Sequence, residues 1–106
     1  MVIITRDRYV VVNVITDESC VSMNLIKAKV WQTYQSVFGI YGSSSAGLYF
    51  EHFDEKKKSG IIRCSHDSLS SLLTVLALIT KVDGIDVILH PIYVSGVINK
   101  AKKYLT

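Results

Sequence analysis

An α+β sandwich, in which a four-stranded antiparallel sheet carries two helices on one face, is the fold class that these 106 residues predict. Three observations carry that reading. Residues 8–16, RYVVVNVIT, are almost solidly β-branched, and both alternating faces of the run are largely apolar, as in a strand covered on two sides. In SGIIRCSHDSLSSLLTVLALIT, residues 59–80, a short apolar run passes through Ser65, His66, Asp67 and Ser68 into Leu69, Leu72, Leu73, Leu76 and Ile79. Their spacing of three and four makes one face of a helix, so a buried strand feeds an amphipathic helix that must lie back on the sheet. Burying each of those side chains is worth roughly 1.5–3 kcal/mol before entropic costs. The third observation is order: strand, helix, strand, strand, helix, strand, then a last basic helix.

In the first strand Val10, Val12 and Val14 point one way, and Tyr9, Val11, Asn13 and Ile15 the other. Ser22 suits the N-cap of a helix over about 23–38. Ile26, Val30, Tyr34, Val37 and Phe38 are its apolar stripe, Trp31 lies beside them, and Gly39 is placed to end it. Residues 40–47, IYGSSSAG, read as a small-residue loop. LYFEHF, 48–53, alternates as a half-buried strand, with Leu48, Phe50 and His52 against Tyr49, Glu51 and Phe53. DEKKKSG connects it as a charged hairpin to Ile61. Beyond the second helix, 81–85 turn at Gly84 into a fourth strand over about 86–94. Pro91 inside that strand cannot donate to a ladder, which places it at a sheet edge or a bulge. Ser95 and Gly96 lead into a final helix over about 97–105, with Val97, Ala101, Tyr104 and Leu105 on one side and Lys100, Lys102 and Lys103 on the rest.

That order is the split βαβ pattern of ferredoxin-like and RRM-like sandwiches, here one domain over residues 1–106 with strand order 4-1-3-2. The face without the two helices carries Tyr9, Val11, Asn13, Ile15, Ile61 and Arg63. So mixed a surface is expected to be covered in part by the terminal helix or by another protein.

Composition bounds the function. The net charge of +3 fits an anionic partner without requiring one. Cys20 and Cys64 have no zinc spacing and form no disulfide framework, which points to a reduced, cytoplasmic setting. Arg6, Asp7 and Arg8 cut short the opening apolar run, so no secretory leader is expected. His52, His66 and His90 lie on separate elements, and no spacing brings them to a metal. Cys64 and His66 share a strand face, but the cysteine reads as a small core residue beside Ile62. No glycine-rich phosphate loop, Ser-His-Asp set or paired carboxylates stands out. Base stacking in the RRM manner needs aromatics on the open face, and the two central strands supply only Tyr9 there. The electrostatic candidates for RNA phosphates are Arg6, Arg8, Arg63, Lys100, Lys102 and Lys103, with Lys56, Lys57 and Lys58 as a further cluster. Tyr9, Val11, Ile15, Ile61 and Tyr93 are the candidates for a protein contact.

Several short pieces resemble ribonuclease P protein component 2, the Pop-five family. They are Arg8-Tyr9 opening the first strand, Phe38-Gly39 closing the first helix, and Gly60-Ile61-Ile62-Arg63-Cys64 in the third strand. Ala77-Leu78-Ile79-Thr80 ends the second helix, and Val94-Ser95-Gly96 precedes the lysine-rich one. The similarity spans nearly the whole chain, and the compact length is that of archaeal members. Val97 stands where the family often has threonine, so a hydroxyl contact made by relatives is absent at that position.

The resemblance implies a subunit of ribonuclease P, the endonuclease that removes 5′ leaders from precursor tRNA. In that particle the RNA performs the chemistry with bound Mg2+, and no cofactor is expected on this chain. The family implies ribonuclease P RNA as a partner, with precursor tRNA met indirectly. It also implies a second protein subunit with a TIM-barrel-like fold, and a homodimer of this chain within a heterotetramer. The competing reading is a small-molecule-binding or enzymatic domain on the same fold, which would need a pocket with converging polar groups.

Overall fold

The computed structural model describes residues 7–17, 22–55 and 57–105. Arg6, Cys20 and Lys56 lie outside them. The chain runs β1 (Asp7–Ile15), α1 (Met23–Ser45), β2 (Tyr49–Asp54), β3 (Ser59–Ser65), a 3-10 turn (His66–Ser68), α2 (Leu69–Leu78), β4 (Lys81–Val82), β5 (Ile85–Asp86), β6 (Ile88–Ser95) and α3 (Ile98–Lys102). Strands β2, β3, β1 and β6 lie side by side in that order, and every pairing is antiparallel. The predicted order 4-1-3-2 is this sheet, with β6 as its fourth strand.

Two layers of apolar contact hold the sandwich. On the helix side Val10, Val12, Val14, Ile62 and Cys64 of the sheet meet Met23, Ile26, Val30 and Tyr34 of α1. Leu72, Val75, Leu76 and Ile79 complete that core from α2 and its end. Val75 belongs to it although the three-and-four stripe passed it over. On the opposite side a small cluster of Val11, Ile61 and Ala101 is fully buried, with Tyr9, Ile92, Tyr93 and Leu105 around it.

The departures from expectation have local causes. Helix α1 does stop at Phe38, where Gly39 takes φ 77 and ψ 174, a backbone that glycine adopts without a Cβ penalty. The chain then resumes helical turns through Ser45, so residues 40–45 are not a loop. Val37 and Phe38 were expected in the buried stripe and are exposed, with Phe38 leaning on Tyr34 at 5.0 Å between ring centres. At the start of α1 the Met23 N–H donates to the Glu55 carboxylate at 3.2 Å, a cap supplied from the hairpin after β2.

Strand β2 does not alternate cleanly. Glu51 faces Ile61 but Asp54 faces Ser59, so β2 carries one extra residue and His52 takes φ 56. The bulge turns both Phe50 and Phe53 to the helix side, where their rings lie 5.8 Å apart against the core. Phe53 in turn explains Gly60, because any Cβ on Gly60 would run into the Phe53 ring. Gly60→Ala is expected to cost about 1–3 kcal/mol of stability through overpacking. The same change in a Phe53→Ala background is expected to cost far less, and urea denaturation of the four proteins gives the coupling directly.

Strand β6 is an edge strand and also bulged. Val11 faces Tyr93 while Val12 faces Pro91, which leaves Ile92 as the extra residue beside the proline. The bulge presents two consecutive apolar residues, Ile92 and Tyr93, to the cluster under α3. The turn expected at Gly84 is a small hairpin of β4 and β5 around Asp83 (φ 52) and Gly84 (φ 77), the positive pair that a two-residue hairpin loop requires.

Candidate nucleic-acid interface

The register fixes which side chains share the open face of the sheet. At the end where β1 begins, Tyr49 of β2 faces Arg63 of β3, Arg63 faces Tyr9 of β1, and Tyr9 faces Ser95 of β6. One row thus crosses all four strands. The next row is Glu51, Ile61, Val11 and Tyr93, and α3 lies on its β1 and β6 portion through Ala101. Ring stacking anchors the helix further, with Tyr104 at 3.9 Å from Tyr93 and 18° from parallel. Val97 N–H donates to Ser95 Oγ at 3.0 Å, which fixes the turn from β6 into α3.

This packing decides where the cations go. Ala101 and Leu105 take the sheet side of the last segment, so Lys100, Lys102 and Lys103 are exposed. Arg63 is on the same face. Arg8, the second residue of β1, lies at the same end; its Nη1 donates to the Asp7 carbonyl at 3.1 Å. Its guanidinium lies beside Gly96, where an added Cβ would sit 3.2 Å from Nη1, so a side chain at 96 would crowd the arginine. Among the described residues none of Arg8, Arg63, Lys100, Lys102 and Lys103 is in an ion pair. The opposite end of the sheet holds Asp17, Asp54, Glu55, Asp83 and Asp86 together with Lys57, Lys58 and Lys81. Charge is therefore unevenly divided along the strands.

The candidates for a protein contact separate in the structure. Val11 and Ile61 are fully buried beneath α3, and Tyr9 and Tyr93 pack around them. Of the two covers expected for this face, the terminal helix is the one over Val11 and Ile61, where the small Ala101 lets α3 approach closely. Ile15, at the far end of β1, is 51% exposed beside its strand partner Ile88. The two border a groove of about 410 Å³ lined by Thr16, Asp17, Thr80, Asp86 and Val87 as well.

Cys64 and His66 do not form a reactive pair. The thiol is buried and free. Burial first, and the Asp7 carboxylate second, push its pKa from 9.0 up to about 11, against a smaller lowering by Arg8. His66 is largely exposed and lies 3.7 Å from Asp67. A thiol whose folded pKa is raised favours folding most where it stays protonated. That contribution is fully present below pH 9 and is lost as the pH rises toward 11. In a Cys20→Ser background, the urea midpoint is expected to fall between pH 8.5 and about pH 10.5 by more than in the same protein carrying Cys64→Val. Equal falls would remove Cys64 as the cause. Among the described residues no three of His, Cys, Asp and Glu converge to hold a metal ion. Nor is any helix there long and apolar enough to cross a membrane.

The sequence reading placed Arg8, Arg63 and the terminal lysines among the candidates but missed Tyr49. Its signal was present: Tyr49 alternates with Phe50 in an edge strand, so it belongs to the open face. It lies on an edge strand, outside the two central strands on which RRM-like base stacking depends. In the structure Arg63 Cζ lies 4.9 Å from the centre of the Tyr49 ring.

The Rpp14/Pop5 family model matches residues 8–106. The chain belongs to this family. It is similar to ribonuclease P protein component 2 of Thermococcus kodakarensis, with 34% identity over 98 residues that cover 92% of this chain and 81% of that one. The component 2 protein of Archaeoglobus fulgidus is 34% identical over 102 residues, 95% of this chain and 90% of its own. The ribonuclease P/MRP protein subunit POP5 of Saccharomyces cerevisiae is 30% identical over 87 residues, which are 79% of this chain and 50% of that protein. A chain in the cryo-EM structure of yeast ribonuclease MRP matches with a TM-score of 0.71 at 12% identity, covering 91% of this chain and 78% of that one, and so shares the fold. The Rpp14/Pop5 match begins at Arg8, the second residue of β1, and runs through the lysines of α3.

Proposed function

We propose that this chain is a protein subunit of ribonuclease P, the ribonucleoprotein that removes 5′ leaders from precursor tRNA. The observation that carries the reading is the family match over residues 8–106, with relatives named as ribonuclease P protein component 2 along most of their length. In this reading the RNA performs the cleavage with its own Mg2+, and the protein supports the RNA fold from the cytoplasm.

Arg8, Lys100, Lys102 and Lys103 supply phosphate contacts. Arginine offers a planar fork held in place beside Gly96, and the lysines offer mobile point charges on a docked helix. Arg6 belongs with them by sequence and lies outside the described residues. The protein partner is the TIM-barrel-like subunit of the same particle. The exposed Ile15 and Ile88, with Asp17 and Asp86 at the groove, suit a partner surface that is apolar at its centre and basic at its rim. A second copy of this chain joins through the assembled pair, giving the heterotetramer. Affinity purification of the tagged chain from its native cells is expected to bring down ribonuclease P RNA. Recovery of the chain free of that RNA, under salt that preserves the particle, would reject the assignment.

A further inference from the structure

We propose that Tyr49 and Arg63 form a ledge that stacks one unpaired RNA base at the β2 edge of the sheet. The inference rests on the RNA-subunit reading and goes beyond its phosphate contacts. Tyr49 is 53% exposed although it is a large aromatic on an open sheet face. Arg63 lies over its ring at 4.9 Å, a cation–π distance, so the two planar groups are already held together before any ligand arrives. Helix α3 covers this face through Val11 of β1, Ile61 of β3 and Tyr93 of β6, and Tyr49 on the β2 edge stays exposed.

The neighbours favour a base over a phosphate. Glu51 lies two residues along the same face of β2 and pairs with Ile61. Its Oε2 is buried and has no hydrogen-bond partner among the described residues. A carboxylate without a counter-charge repels a phosphate but not the π-face of a base. Base–aromatic stacking tolerates any base and is strongest for those with the largest π-surface, so a purine fits best.

The test is fluorescence anisotropy of the full chain with labelled single-stranded oligoadenylate, oligouridylate and a fully paired RNA duplex of the same length. Wild type is expected to bind oligoadenylate more tightly than oligouridylate. Tyr49→Ala should weaken oligoadenylate binding about ten-fold, with the salt slope unchanged, while Tyr49→Phe restores it and duplex binding stays as it was. Equal binding of oligoadenylate by Tyr49→Ala and wild type would overturn the ledge. If alanine at Lys100, Lys102 and Lys103 still weakened duplex binding in that case, the RNA-subunit reading would survive alone. A wild type that ignores oligoadenylate, or a Tyr49→Ala loss shared equally by the duplex, overturns it too. So does a Tyr49→Ala chain that binds every RNA normally but no longer captures the partner protein, which would give the ledge to a protein contact.

Discussion

Alanine at Lys100, Lys102 and Lys103 together is expected to lower the affinity for ribonuclease P RNA by roughly a hundred-fold near 0.1 M salt, and the salt slope by about two to three. The size follows from counterion release, in which each lost phosphate contact removes roughly 0.7–0.9 from the slope. The fold should be untouched, because all three side chains are exposed and lie outside both apolar clusters. Filter binding across a salt series measures both quantities in one experiment. If affinity and slope stay at wild-type values, these lysines are a solvated helix face, as basic helix surfaces commonly are.

Ala101→Glu undocks α3 without unfolding the sheet. Ala101 is fully buried against Val11 and Ile61, and a five-residue helix has little stability of its own. A carboxylate placed there has no cation facing it in that cluster, and its desolvation costs several kcal/mol. Release of the helix is the cheaper outcome, since the core under α1 and α2 lies on the other side of the sheet. The expected result is rapid tryptic cleavage after Lys100, Lys102 and Lys103, with the remaining protein still protected. RNA affinity should fall less than in the lysine variant, because freed lysines keep their charge and lose only their placement. Global unfolding at the wild-type denaturant midpoint, with α3 still protected from trypsin, would contradict the two-cluster account.

Much of this fold was legible because its strongest signals are local. The β-branched run of β1, the stripe of α2 and the proline of β6 each report burial or hydrogen-bond capacity that the residues themselves determine. What escaped was set by contacts between distant segments. The bulge that turns both Phe50 and Phe53 inward depends on pairing with β3. Exposure of Val37 and Phe38 likewise reflects how far α1 extends, which periodicity does not report.

The candidate interface was partly legible for the same reason. Arg8, Arg63 and the three lysines stand out by residue type, and alternation alone put Arg63 on the open face. The row from Tyr49 through Arg63 and Tyr9 to Ser95 needed the register of three strand pairs. The burial of Val11 and Ile61 under α3 followed from an alanine, Ala101, whose importance lies in its size and its place over the sheet. Nothing about that residue type marks it in advance.

In the proposed particle an RNA cuts and this protein supports it. Reconstitution tests this: ribonuclease P RNA, this chain and the proposed TIM-barrel-like subunit, assayed for precursor-tRNA cleavage at lowered Mg2+, with parallel reactions lacking the RNA. The protein pair is expected to raise cleavage where the RNA alone is nearly silent, and the proteins without RNA are expected to cut nothing. Cleavage in the RNA-free reaction, or an RNA indifferent to the added chain, would contradict it.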